Sequence, residues 1–461
     1  MNGFASVALL GWMPLVAMLF ASLRPQRAVL VAYVAGWLFL PVADLQLLGF
    51  FDYSKGTAVP LVVFAAVLVF DSAALRRLRF TRLDLPVIAF CVAPLLSSLD
   101  NDLGWYDALS ACMYQTIAWG LPYLMGRAYF HSVQGLRQLA LGLLAGGLVY
   151  APLCLWEIRM SPQLHATLYG FHQHDWTQTL RLGGYRPMVF MQHGLMVGLW
   201  MGAASLVGLA LWMAGGTRRL WGMPVALLVG VVLVTGVLCK SFGATLLVLV
   251  GALALVLMRG LRTSLPMAVL VCLPSTYVFV RTAGEWSGAE VTELVGGIDP
   301  ERASSLSFRL EAEEHLRLKA AQKPLLGWGG WGRSFVRLSD DPLQADTVIT
   351  DSLWILVYGK HGAVGLVALL ACFCVPVVAL WRRCSPRHWA SPGAVVPWAL
   401  ALVLTLYAID CLVNAMENPV YLLIAGALSG SAAPCPRVPK RHAACVRGRA
   451  RSRPATTVPV P

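Results

Sequence analysis

The sequence predicts an all-α fold: a polytopic transmembrane helix bundle of about 12–13 spans with a large helical loop on one face. Three observations predict it. Of 461 residues, 58% are hydrophobic and 13% charged, whereas a soluble domain carries about 25% charged residues. The apolar residues gather into runs near the roughly 20 residues that cross a bilayer as a helix. Basic loops alternate with acidic or neutral ones along the chain, the bias by which Lys and Arg mark the cytoplasmic side.

The runs lie near 5–22, 28–48, 57–74, 85–99, 106–125, 138–156, 188–213, 223–239, 243–258, 264–280, 352–380, 394–413 and 418–433. No convincing small-residue cleavage site follows the first, which therefore reads as a span and not a leader. The 352–380 run is too long for one upright span and predicts a short external helix that turns at Gly359 or Gly362. The organisation is then transmembrane helices over 1–280 with an outer loop near 157–187, a large outer loop over 281–351, and C-terminal transmembrane helices over 352–433. A basic tail over 434–461, rich in Arg, Pro and Ala, has no periodicity and is expected to be disordered near anionic headgroups.

The net charge of +13 does not point to nucleic acid, because the basic residues sit in short loops between spans and in the tail. Arg24 with Arg27, Arg76 to Arg82, Arg127 with Arg137, Arg218-Arg219, Arg259 with Arg262 and Arg382-Arg383 form the cytoplasmic set. Asp100-Asn-Asp102 and Asn414 to Asn418 fall on the other side. The eleven cysteines form no CxxC pair, and Cys91, Cys112, Cys272 and Cys372 sit inside apolar runs as small hydrophobes. His172-x-His174-Asp175 is spaced wrongly for one helical face and has no partner pair elsewhere, so no metal and no cofactor are expected.

The stretch from Ser304 to Gly365 is the longest hydrophilic interruption. Its first part reads as a helix, with Leu306, Leu310 and Leu318 on a sparse apolar side and Glu-to-Arg and Glu-to-Lys spacings of three and four residues. Pro324 stops that helix, and Gly327, Gly329, Gly330 and Gly332 make a turn before Asp351 at the mouth of the next run. Arg181 and Arg186 stand beside the membrane on the outer side, against the charge bias, and so suit either an anionic ligand or a snorkelling role. Lys240 at an outer turn has the same two readings. Arg302, Arg309, Arg317, Lys319 and Lys323 add outer positive charge, so three separate segments converge on an anionic substrate. Asp351 and Glu313 are the outer carboxylates best placed to act as a base; for Asp351 the alternative is a cap on the helix that follows. Asp410, Asn414 and Glu417 read as one helical face that anchors the loop above.

In their order, these pieces resemble the O-antigen ligase and polysaccharide polymerase superfamily of bacterial inner-membrane proteins, over roughly residues 100–430. Arg309, fifteen residues before Pro324-Leu325-Leu326-Gly327-Trp328-Gly329, is similar to the family's Arg-helix-Pro-Leu-Leu-Gly-x-Gly pattern. Arg181-Leu-Gly-Gly184 resembles the segment of the family's first functional arginine, with Arg186 as the competing assignment. Asp351-Ser352, eleven residues before Gly362, holds the place of a His-Asn pair, and Ser241-Phe242-Gly243 that of a Ser-Arg-Gly turn, with Lys240 adjacent. Asp351 thus replaces a histidine and Phe242 an arginine, departures that suit a divergent member serving an exopolysaccharide or capsule locus better than a lipopolysaccharide ligase.

The resemblance implies metal-independent, inverting glycosyl transfer on the periplasmic face of the inner membrane. The donor would be a glycan on undecaprenyl diphosphate, and the reaction polymerase-like, with ligation to a lipid A-core acceptor as the alternative. Arg181 or Arg186, Arg309 and Lys240 would bind the diphosphate, Asp351 would orient or deprotonate the acceptor hydroxyl, and Glu313, Asp410 and Glu417 would support them. Other polysaccharide-assembly proteins are the implied partners. The rival class is a transporter or lipid flippase with Asp410 and Glu417 as coupling groups.

Overall fold

The computed structural model describes residues 3–46, 51–215, 218–283, 286–297, 300–337, 348, 350–391 and 393–431. The tail expected over 434–461 lies outside the described residues, as does most of 338–349.

The chain is an all-α bundle and a multi-pass membrane protein. Helices α1 (Gly3–Ser22), α2 (Pro25–Phe39), α3 (Lys55–Phe70), α4 (Ser72–Arg76), α5 (Leu85–Asp100), α6 (Gly104–Gln115) and α7 (Leu121–Tyr129) form its first part. They are followed by α8 (Val133–Met160), α9 (Leu164–Tyr169), α10 (Gly194–Ala214), α11 (Val225–Leu238), α12 (Phe242–Gly260) and α13 (Leu265–Ala283). Then come α14 (Ala289–Gly296), α15 (Pro300–Ala320), α16 (Leu353–Arg383), α17 (Val395–Asp410) and α18 (Pro419–Gly430). Among the described residues the strands form three two-stranded antiparallel pairs: β1 (Asp44–Gln46) with β2 (Asp52–Ser54), β3 (Leu180–Arg181) with β4 (Gly184–Tyr185), and β5 (Arg219–Leu220) with β6 (Met223–Pro224).

Among the described residues seven helices are long and apolar enough to cross a membrane, and four shorter apolar ones accompany them. The predicted runs near 28–48 and 188–213 depart from their expected limits. The 28–48 run stops being helical at Phe39, just ahead of Pro41, and β1 follows. The 188–213 run becomes helical only at Gly194.

α10, α17 and α18 are buried nearly all round and form the centre. α1, α12 and α13 present Val7, Leu10, Leu249, Leu253, Val269 and Phe279 outward, the apolar surface a lipid environment requires. α7 and α18 cross closely, because a Cβ on Gly126 would fall 2.2 Å from the Leu423 carbonyl oxygen and one on Gly426 2.0 Å from that of Tyr123.

The helix ends sort into two faces. α10 leaves one face at Gly194 and is followed by Arg218-Arg219, and α11 returns to Lys240. α12 leaves again and ends in Arg259, while α13 returns to Arg281. α16 leaves and ends in Arg382-Arg383, and α17 returns to Asp410. The segments singled out for chemistry therefore share one face, and the clusters of short-loop arginines share the other.

Candidate functional site

α15 is the platform of the site face. Pairing of Arg317 with Glu314 at 2.6 Å, three residues apart, supports it, as does the Ser307 hydroxyl donating to Glu311 at 2.9 Å. Its buried side is Leu310, Ala312, Glu313, Leu316 and Ala320; Leu318, expected on that side, is exposed. Glu313, 1% exposed, accepts from the Tyr277 hydroxyl at 2.9 Å, the Trp354 indole at 3.3 Å and the Ser352 hydroxyl. Arg281 lies 3.5 Å away and also donates to the backbone oxygens of Trp286 and Leu310 at 2.7 and 3.1 Å. Burial raises the Glu313 carboxyl above the usual range, and its four partners pull it back. A carboxylate so enclosed does not face an incoming acceptor. It ties α15 to α13 and α16.

The Pro324–Gly329 loop closes a break in α16. Gly362 has φ 61° and ψ −160°, a combination open in practice only to glycine, so the predicted turn in this run lies there. A break inside an apolar helix frees backbone groups that must find partners. The Ala363 and Val364 amides donate to the carbonyls of Pro324 and Leu325 at 2.8 and 3.2 Å. In return the Trp328 and Gly329 amides donate to those of Gly359 and Lys360 at 2.9 and 3.0 Å. Asn101 fastens the loop from α5, donating to the Gly327 carbonyl at 2.9 Å and accepting from Lys323 at 2.7 Å. Lys319 lies 3.9 Å and Lys323 5.1 Å from the Trp328 ring centroid. Of the basic residues expected to converge from this stretch, Arg317, Lys319 and Lys323 are thus committed to local contacts, and the Arg302 side chain lies outside the described set. Arg309 is the one whose charge is felt behind the β3–β4 hairpin, at Arg186 and His193.

That hairpin has Leu182 and Gly183 at φ 48° and 66° in its two-residue turn. Arg181 sits at its tip and donates to the Gln178 side chain at 2.7 Å. Behind it, residues 186–193 run without helix into the bundle, and several of their backbone groups are met from distant elements. Glu157, fully buried, accepts from the Met188 and Val189 amides at 2.8 and 2.7 Å and from that of Leu164 at 3.0 Å. Lys55 donates to the Phe190 carbonyl at 2.7 Å, and the Phe190 amide donates to the Tyr150 hydroxyl at 3.0 Å. Gln173 donates to the Val189 and Met191 carbonyls at 3.0 and 3.1 Å. His193 caps α10, its Nδ1 accepting from the Leu195 amide at 3.0 Å; Nε2 then carries the ring proton. Burial, with His174 and then Arg186, Arg181 and Arg309, draws this imidazole down to about 3, so it is neutral near pH 7.

Arg186, 7% exposed, joins the segments. Its Nη2 reaches the Lys240 carbonyl at 3.4 Å, and its Nε has no hydrogen-bond partner among the described residues. Burial foremost, then the charges of Arg181 and Arg309, lowers it to about 10. Lys240 lies across the hairpin, its Nζ at 3.4 Å from the Leu182 carbonyl and 2.1 Å from where a Cβ on Gly184 would stand. Arg309 pairs with Asp351 at 3.6 Å, the two side chains 34% and 50% exposed, and contacts the Val413 carbonyl at 3.4 Å. Arg181, Arg186 and Arg309 are therefore one electrostatic cluster, and Lys240 adjoins it through the Arg186–Lys240 and Lys240–Leu182 contacts.

Asp351 is accessible beside that cluster, and the helix cap falls to Ser352, so the capping alternative does not hold. Asp410 is 6% exposed, accepts from Asn414 at 2.8 Å and lies within electrostatic reach of Arg309. Glu417 is exposed and does not share a helical face with them, because α17 ends at Asp410 and α18 starts at Pro419. Its charged neighbour is Lys360. His172 turns both ring nitrogens to backbone carbonyls, of His174 at 2.5 Å and Pro162 at 3.2 Å. No three His, Cys, Asp or Glu side chains gather as a metal site among the described residues.

Sequence reasoning missed Lys55, Glu157 and Arg281, and it noted His193 beside the outer loop without giving it a role. One cue was readable: single charged residues bordering apolar runs, which the membrane keeps only when they are paired or functional. Compared with protein-family models and with curated proteins, the chain matches none.

Proposed function

We propose that the protein transfers a glycan from a polyprenyl diphosphate carrier to an acceptor hydroxyl, on the periplasmic face of a bacterial inner membrane, during surface or exopolysaccharide assembly. The observation that carries this reading is the meeting of Arg181, Arg186, Lys240 and Arg309, from three separate segments, beside the accessible carboxylate of Asp351.

Such a site suits departure of a diphosphate. The acceptor oxygen attacks the anomeric carbon and its proton goes to Asp351. The bond from that carbon to the diphosphate oxygen breaks, and the electron pair leaves with the diphosphate. Arg309, Arg186 and Lys240 stabilise the developing charge, and attack opposite the leaving group inverts the configuration. Arg309 starts paired with Asp351, so an incoming diphosphate would take over the guanidinium and free the carboxylate.

A transporter reading draws on the break in α16. There the freed backbone groups are taken by Pro324–Gly329, so they do not line an ion site. Reconstituted protein given a polyprenyl-diphosphate-linked oligosaccharide should release the carrier diphosphate and lengthen the glycan, and Asp351→Asn should slow this roughly 100-fold or more. Retained donor with wild-type protein would refute the proposal. A glycan that lengthens on the carrier marks a polymerase, and one that moves to a lipid A-core acceptor marks a ligase.

A further inference from the structure

Trp331 stands in a conformation that a tryptophan adopts only at a cost. Its φ is 61°, the left-handed region that suits glycine and strains a bulky side chain, and Gly330 and Gly332 flank it. The strain does not serve packing, because the ring is 79% exposed. Its indole Nε1 donates to Asp107 Oδ2 at 3.2 Å, on the first turn of α6 and 224 positions away in the chain. The base of the turn is held as well. Arg333 donates to the Asn101 carbonyl at 3.1 Å, and Asn101 in turn holds the Gly327 carbonyl. Trp105 and Tyr106 lie in the same first turn of α6, 67% and 62% exposed. Three aromatic side chains and a carboxylate thus gather in the open where the loop after α15 meets α6. The place is apart from the basic cluster. From Arg309 to Ala320 α15 rises about 17 Å, and at that far end Lys319 and Lys323 pack on Trp328 of the same loop.

We infer that Trp331 and Asp107, with Trp105 and Tyr106 beside them, form a saccharide-binding platform that holds a stretch of glycan several sugars away from its reacting end. The inference rests on the proposed transfer reading and adds a site that touches neither the diphosphate nor the reacting hydroxyl. The chemistry selects a sugar. A pyranose has an apolar C–H face that covers an aromatic ring, and hydroxyls at its rim that donate to a carboxylate. Asp107 meets the indole through one oxygen and keeps the other for such a hydroxyl. The rival occupant of exposed aromatics beside a membrane is the lipid headgroup layer. An anchor in that layer gains nothing from a strained turn or a fixed direction, whereas a sugar platform needs its ring held in one plane. Asp107, with Asp100 and Asp102 in the adjoining turn, also repels anionic headgroups.

The test is binding to the full chain in phosphatidylcholine nanodiscs, read by calorimetry. The probe is lipid-free oligosaccharide, released by mild acid from the surface glycan of the cells that make the protein and sorted by size. Fragments of several sugars should bind, and the component monosaccharides more weakly. Trp331→Gly is the informative variant, because glycine takes φ 61° without strain. Its protein should unfold no earlier than wild type, while oligosaccharide binding weakens about ten-fold or more, as it should in Asp107→Asn. Trp221→Gly removes another exposed tryptophan at positive φ, in the turn between β5 and β6 on the opposite face, and should leave binding unchanged. No binding to wild type, unchanged binding after Trp331→Gly, or an equal loss in Trp221→Gly would overturn the inference. Earlier unfolding of Trp331→Gly together with lost binding would overturn it too, by making Trp331 a structural residue. Brominated phosphatidylcholine that quenches wild type more than Trp331→Gly, with oligosaccharide present or absent, would seat the ring among headgroups and likewise overturn it. Binding is read without carrier or transfer, so a platform that fails here leaves the transfer reaction to its own assay, and a failed transfer leaves this result standing.

Discussion

Gly362→Ala should cost this protein several kcal/mol although it adds one methyl group. At φ 61° and ψ −160° an alanine bears about 1–3 kcal/mol of backbone strain. Its Cβ would also stand 2.3 Å from the Leu325 carbonyl oxygen, so loop and helix must part. Parting them breaks the Ala363–Pro324 and Val364–Leu325 hydrogen bonds, worth about 1 kcal/mol each. The expected loss is about 3–5 kcal/mol, measured by reversible denaturation in mild detergent. Gly327→Ala, with φ 73° and a Cβ 2.6 Å from the Gly362 amide nitrogen, attacks the same contact. The double variant should therefore lose less than the sum of the two. Gly393→Ala is the control, having φ 86° and nothing within 4 Å of its Cβ; it should lose only about 1–2 kcal/mol. A loss from Gly362→Ala no larger than the control's, or additive losses in the double variant, would refute the account of the Pro324–Gly329 loop as the closure of a broken helix.

Acid should weaken the fold through His193. An unfolded ring takes its proton near the ordinary 6.5, while the folded one stays neutral until about 3, so stability falls as pH drops through 6.5, by about 2 kcal/mol between pH 7 and 5. His193→Asn keeps a capping side chain and should flatten that part of the pH dependence, leaving what His165, drawn down to about 4 by burial, contributes; an unchanged pH profile would count against it. Glu313→Ala should destabilise by about 3–5 kcal/mol, because it strands Arg281, itself 1% exposed, without its carboxylate; a loss below about 1 kcal/mol in denaturation would deny Glu313 its anchoring role. Arg186→Gln should weaken binding of inorganic diphosphate about ten-fold or more in calorimetry, since a charge-assisted contact to a phosphate is lost; unchanged binding would place the anion elsewhere.

The bundle was legible because the bilayer demands long apolar runs, and the break at Gly362 because the 352–380 run exceeds any single span. The loop after α15 announced itself through Pro324 and its glycines. Arg181, Arg186, Lys240 and Arg309 could be picked out singly, since each stands against the charge bias or in an ordered polar stretch. Their convergence depends on residues that sequence does not connect. Glu157 and Lys55 hold the 186–193 segment by bonds to backbone 31 to 135 positions away, and a backbone partner leaves no trace in residue type. The same holds for the start of α10. An apolar run reads as helix throughout, and Tyr150, Glu157, Lys55 and Gln173 show why 188–193 does not need to be one. Leu318 misled because sparse leucines mark a face ambiguously, and the small side chains of Ala312 and Ala320 define it instead.

The most direct test of the central proposal is the size distribution of lipid-linked and surface glycan in a deletion strain complemented with wild type, Arg309→Ala or Asp351→Asn, each at equal membrane abundance. The account predicts that wild type restores long chains, while both variants leave single repeat units on the lipid carrier. Normal long chains from the Arg309→Ala strain would contradict it.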